Sequence, residues 1–161
     1  MTTHLKRRLL VTGRSGFVGR TLAAMVDTGV VGAGWELVEV PDALDLRDKA
    51  AVADLVARQA PDAVIHLAAQ SAVPDSFRDP ETTLQINLLG TLNLLQALGA
   101  GGFRGRLLYV GTGEVYGLVP ETELPVNESR LPRPRNPYAV SKLAAEALCW
   151  QRHVSDGMPR E

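Results

Sequence analysis

Tyr138 and Lys142 stand four residues apart in the segment PYAVSKLAAEAL, a spacing that puts both on one face of a helix. A phenol with a pKa of about 10 is a poor acid–base group at neutral pH, but an adjacent ammonium favours the phenolate. Such a pair can exchange a proton with an oxygen of a bound molecule. On an ordinary surface helix the same two residues would do nothing. The run Gly13-Arg14-Ser15-Gly16-Phe17-Val18-Gly19 changes that reading. Gly13 permits a tight strand-to-helix turn, Gly16 lets a pyrophosphate approach the backbone, and Gly19 lets helix and strand pack closely. The helix start adds unpaired N–H groups and the positive end of a dipole. Together the two segments point to a nicotinamide-dependent enzyme acting on a carbonyl or an alcohol.

Several other residues fit that chemistry. Thr112 follows the apolar run LLYV, at the carboxyl end of a predicted strand, where open α/β sheets bind ligands. Its hydroxyl can donate to a carbonyl oxygen that gains charge, or simply cap a turn. Glu114 is a base toward the substrate or a solvated turn residue. Asp45 in LDLRD suits an adenine amino group or a turn. No acidic residue cleanly matches the usual ribose partner after the second strand, while Arg14 and Arg20 could meet a 2′-phosphate. The expected cofactor is therefore NADPH or NADH, with a lean to NADPH. His66 reads as structural, and the small residues Ala68 and Ala69 leave backbone open to a flat ring or ribose.

The elements that must position these groups alternate strand and helix. Predicted strands cover Arg8–Thr12, Trp35–Val40, Ala63–Leu67 and Arg106–Val110; predicted helices cover Gly16–Asp27, Lys49–Gln59, Pro80–Leu98 and Pro137–Arg152. Phe17, Val18, Leu22, Met25 and Val26 make the apolar stripe of the first helix. Asp48 caps the second helix and Pro61 ends it. This alternation calls for an α/β, Rossmann-type, doubly wound parallel sheet. Such sheets usually have about six strands, so the four predicted here suggest an incomplete sheet: residues 1–153 as a partial dinucleotide-binding domain and 154–161 as a tail. The proline-rich stretch from Pro120 to Pro137 is long enough to suggest a functional loop.

Composition narrows the field. With 17 Lys and Arg against 18 Asp and Glu, the net charge of −1 offers no general attraction for nucleic acid or an anionic membrane. Arg130 to Arg135 alternates with prolines and reads as exposed loop. The single cysteine, Cys149, excludes an internal disulfide and a cysteine-rich metal site, and packing is its expected role. No apolar run approaches the ~20 residues that span a bilayer. The expected setting is a reducing cytoplasm, and no metal is expected.

In the segments VTGRSGFVG, DALDL, DAVIHLAAQSAV, QINLLGTLNLLQAL, LLYVGTGEVYG and RNPYAVSKLAAE, the chain resembles the extended short-chain dehydrogenase/reductases, the sugar-nucleotide-modifying branch. The resemblance runs from about Leu9 to Cys149. It implies Tyr138 as proton donor, Lys142 as its modulator and Thr112 on the sugar carbonyl, with Ser71 and Glu114 also on the substrate side. It implies a pyrophosphate held by Gly13, Gly16 and Gly19 with Arg14, Ser15, Phe17 and Val18, and the adenine by Asp45 and Leu46. Leu67, Ala68, Ala69 and Gln70 would line the cofactor ribose, and Asn87 would support the nicotinamide side. The implied reaction is reduction of a GDP-linked 4-keto-6-deoxy sugar. The arrangement Thr112-Gly113-Glu114 keeps a 4,6-dehydratase open, and a 4-epimerase and a non-catalytic dinucleotide-binding module stay open beside it. Relatives continue well beyond the tyrosine helix, so this chain is expected to lack a C-terminal substrate domain. Without it the chain is expected to bind cofactor weakly and turn over nothing, because water is not excluded. The resemblance further implies a homodimer through the helices Pro80–Leu98 and Pro137–Arg152, using Leu88, Leu92, Leu95, Leu143, Ala147 and Leu148.

Overall fold

A computed structural model describes residues 6–30 and 32–156. The first apolar run forms β1 (Arg7–Thr12), followed by α1 (Phe17–Asp27) and β2 (Trp35–Leu37). Next come α2 (Lys49–Gln59), β3 (Ala63–His66) and a short α3 (Val73–Arg78) that the sequence pattern does not announce. Residues 80–100 form one helical rod: α4 (Pro80–Leu84), a π-helical turn (Gln85–Leu89) and α5 (Gly90–Ala100). Then β4 (Arg106–Tyr109) leads to a 3₁₀ turn (Gly113–Tyr116), a second one (Glu121–Glu123) and α6 (Pro137–Asp156). The expected Trp35–Val40 strand is shorter, although Val38 still donates to the Leu9 carbonyl at 3.0 Å. The last helix continues past position 153.

All strands are parallel, in the order β2-β1-β3-β4. Register aligns Leu10 with Val64 and Val64 with Leu107, so the three share one face of the pleat. That face meets Val52, Leu55 and Val56 of α2 and Leu94, Leu95 and Leu98 of α5 in a single core cluster. Each such buried side chain contributes about 1.5–3 kcal/mol. Right-handed crossovers place α1 alone on the other face, over Leu9 and Val11. Further along that face Leu108 and Val110 are 44% and 43% exposed, because no described element covers β4 there. The helix layers are thus uneven: α2, α5 and α6 on one side, α1 on the other.

Local chemistry explains the helix ends. Asp48 accepts the Ala51 N–H at 3.0 Å, the expected cap. At the other end of α2 the chain turns through Ala60 in the left-handed region (φ 36°) before Pro61 is reached. The stripe expected on α1 divides. Phe17 is 81% exposed and Val18 is also exposed, whereas Gly19 and Ala23 make the buried contact. Small residues let this helix lie close to β1, and its first two large side chains stand at the mouth of a cavity instead of in the core.

Candidate functional site

The carboxyl ends of β1 and β3 frame the site. Gly13 adopts φ +72°, and a Cβ there would lie 2.7 Å from Ala68 N. A Cβ on Gly19 would lie 2.3 Å from the Gly13 carbonyl oxygen and 2.6 Å from Arg14 Cα. The turn therefore folds tightly onto its own helix and against the loop after β3. Gly16 is the N-cap of α1 and supplies no side chain, so the first N–H groups of the helix have no side-chain cap, and such an end suits an anion.

A cavity of about 960 Å³ opens over this turn. It is lined by Gly13 to Gly19, by Asp45 and Leu46, by Leu67 to Ser71, and at its far side by Tyr138. Two regions separated by well over a hundred residues thus meet in one space, in the volume range of a cofactor-sized pocket. Among the expected residues, Asn87, Thr112, Glu114 and Lys142 are not in its lining. Pro41, Asp42 and Arg47 are, although the sequence pattern does not single them out. Asp45 is engaged: Arg47 Nε donates to Oδ1 at 3.0 Å and Nη2 to Oδ2 at 2.7 Å. These bonds hold the Asp45 carboxyl below its usual range. The spacing Asp45-Leu46-Arg47 was the available signal. Arg20 donates through Nη1 to the Ser15 carbonyl, bracing the turn.

Beneath the cavity lies a buried polar chain. Thr91 Oγ1 donates to the Asn87 carbonyl at 2.6 Å, so it accepts from His66 Nε2–H at 2.9 Å. His66 Nδ1 then accepts from Thr12 Oγ1 at 2.6 Å. Burial, and next the nearby Lys142 charge, push the imidazole down to about 3, so it stays neutral. His66 is structural, as expected: it ties β1 to the helical rod.

Asn87, in the π turn, is 2% exposed. Its Oδ1 accepts Gln70 N–H at 2.8 Å; its Nδ2 donates to the Gln70 carbonyl at 3.0 Å and to Ser141 Oγ at 2.9 Å. These bonds join the backbone of the loop after β3 to α6, one turn from Tyr138. Gly90 permits this path, since a Cβ there would stand 2.8 Å from Leu46 Cβ.

Lys142 is 4% exposed, with its ammonium 4.2 Å above the Tyr109 ring. The Tyr109 hydroxyl donates to the Lys142 carbonyl at 3.2 Å. Burial lowers the ammonium to about 8. The four-residue spacing pairs this charge with Tyr138; in the fold it rests on Tyr109, a residue without a signal of its own in the sequence. Thr112 Oγ1 accepts the Glu114 N–H at 3.2 Å, capping the 3₁₀ turn. That bond leaves the hydroxyl proton available for donation. Among the described residues no cluster could hold a metal ion, and no helix is long and apolar enough to cross a membrane.

A model of the NAD dependent epimerase/dehydratase family matches residues 9–159. The GDP-6-deoxy-D-mannose reductase of Pseudomonas aeruginosa is 55% identical over 153 residues, 95% of this chain and 49% of that protein. A solved structure of RMD from Pseudomonas aeruginosa, complexed with NADPH, superposes with a TM-score of 0.89 at 54% identity, over 98% of this chain and 51% of that one. The UDP-glucose 4-epimerase of Thermus thermophilus, in complex with NAD, superposes at 0.82 with 35% identity, over 95% and 53% of the two chains. The chain spans about half the length of the curated relatives it matches.

Proposed function

The chain belongs to the NAD dependent epimerase/dehydratase family, and we propose that it carries the cofactor-binding portion of a reductase for a GDP-linked 4-keto-6-deoxy sugar. The observation that supports this most is the single cavity touching both Gly16 and Tyr138. Its glycine cradle, which a Cβ would fill, suits the pyrophosphate of NADPH or NADH. Arg14 lines the same cavity and favours NADPH through the 2′-phosphate. Bound there, the reduced nicotinamide supplies a hydride for C4 of the sugar.

The chain's own groups do the rest. Tyr138 gives its phenolic proton to the oxygen that gains charge. Thr112, with its oxygen lone pair engaged by Glu114 N–H, directs its own proton to that oxygen. Lys142, one helical turn from Tyr138, serves the ribose side and the phenol, while Asn87 holds the loop of Gln70 and the helix of Tyr138 in register. The product would be GDP-D-rhamnose.

Titration with NADPH, followed by nicotinamide fluorescence, is expected to saturate, with NADH weaker. Single turnover with chain in excess over the 4-keto sugar tests the expectation that this chain turns over nothing; any NADPH oxidation that it does support is expected to slow about 10²–10⁴-fold in Tyr138→Phe, with NADPH affinity unchanged. Equal and measurable rates for both proteins would take the proton-donor role away from Tyr138. A keto sugar formed from GDP-mannose without added reductant would replace this reading with the dehydratase.

A homodimer belongs to the same proposal. Val140, Ala147, Trp150 and Val154 are exposed on α6, whereas Leu95 is buried in the chain's own core and Leu148 packs against it. The pairing face is therefore narrower than the leucine pattern implied. Sedimentation is expected to show a dimer; monomer alone at micromolar concentration would refute it.

A further inference from the structure

The segment that leads into α6 does more than start a helix. Asn136 is buried, and its Oδ1 accepts the Ala139 N–H at 2.7 Å, an N-terminal cap. Its other end, Nδ2, donates to Glu114 Oε2 at 3.0 Å. Two further ties join the same pair of segments. Arg133 N–H donates to the Val115 carbonyl at 2.8 Å. Gly117 adopts φ +66°, and a Cβ there would stand 2.1 Å from the Arg133 carbonyl oxygen. The 3₁₀ turn carrying Glu114 is thus fastened to the entry of the helix carrying Tyr138 and Lys142. Glu114 is exposed, and Asn136 holds one of its two carboxylate oxygens.

We propose that Asn136 is a positioning residue for Glu114. One amide caps α6 with its oxygen and clamps the Glu114 carboxylate with its nitrogen, so that Thr112, Glu114 and Tyr138 keep a fixed mutual arrangement. The inference rests on the proposed reductase site for its functional meaning, while the clamp itself can be tested without turnover.

The amide and carboxylate can be exchanged. Asn136→Asp keeps the cap, because Asp caps as well as Asn, but sets two carboxylates against each other. The thermal midpoint of N136D is expected to fall by about 3–6 °C, reflecting a lost charge-assisted bond plus repulsion in a chain of this size. Adding Glu114→Gln restores a donor facing an acceptor in the reverse sense, and the double variant is expected within about 2 °C of the parent. Asn136→Ser, which caps but cannot reach, is expected to lose about 2–4 °C and to gain nothing from Glu114→Gln. A residue that only caps predicts N136D equal to the parent; that result, or a double variant no better than N136D, overturns the proposal. Failure of the parent to bind NADPH would instead remove the reductase reading and leave this pattern of midpoints intact.

Discussion

Gly19→Ala is expected to weaken NADPH binding at least 100-fold, close to 3 kcal/mol of binding free energy. The added Cβ would sit 2.3 Å from the Gly13 carbonyl oxygen and 2.6 Å from Arg14 Cα. Both are backbone atoms, so no side chain can rotate away. The turn must open or α1 must lift from β1, and either motion disperses the N–H groups that would meet a pyrophosphate. Overpacking of this kind also costs stability, about 1–3 kcal/mol. The control is Gly99→Ala in α5, where an added Cβ meets nothing within 4 Å. There the helix gains roughly 0.5–1 kcal/mol, and NADPH affinity should not change. Equal affinity of Gly19→Ala and the parent would show that the turn does not hold the cofactor.

Lys142→Met is expected to make the protein more stable and less able to bind. The ammonium is 4% exposed, and burial lowers it from 10.5 to about 8. At 1.36 kcal/mol per pKa unit the burial penalty is on the order of 3 kcal/mol at pH 7, offset by roughly 1 kcal/mol from the charge over Tyr109. A methionine fills the same space without charge, so the thermal midpoint should rise by about 3–6 °C at pH 7. The sign of the pH dependence follows from which state holds the proton. Between about 8 and 10.5 the unfolded lysine keeps a proton that the folded one has lost, so the parent gains stability as pH rises. Below about 8 the penalty is complete.

The gap between the two proteins should accordingly be widest at pH 7 and close as pH climbs through that window. Cys149, raised by burial to about 11, and Tyr109, also raised by burial, face the same cluster, as does Glu146. The Lys142 charge lowers the Cys149 thiol, so the difference reads the ammonium together with its coupling to that thiol. Paired thermal melts across the alkaline range provide the check; a gap that ignores pH would mean the ammonium is not the destabilising element. A cation kept in the core against stability is what a functional role predicts.

Much of this architecture was already written in local patterns. The four strands, the Asp48 cap, the glycine turn and the helix bearing Tyr138 all follow from apolar period, caps and turn residues, which act over a few neighbours. Gly13–Gly19, Leu67–Ser71 and Tyr138 line one cavity, while Thr112 and Lys142, expected beside Tyr138, are not in its lining. Other features depended on contacts between distant segments. The rod at 80–100 reads as one regular helix until Asn87 finds Gln70 and Ser141, whose bonds favour the π turn. Phe17 and Val18 look like core residues by period, yet the close approach of Gly19 to the turn leaves them at the cavity mouth. Lys142 reads as a partner for the phenol four residues away, but the Tyr109 ring, on a strand thirty-three positions earlier, offers its face to the ammonium first. Nothing in the sequence marks Asn136, because Glu114 becomes its neighbour only when the loop after β4 folds back. Periodicity and capping act along the chain and can be read from it; the partners of buried polar groups are chosen across the fold, by desolvation and packing.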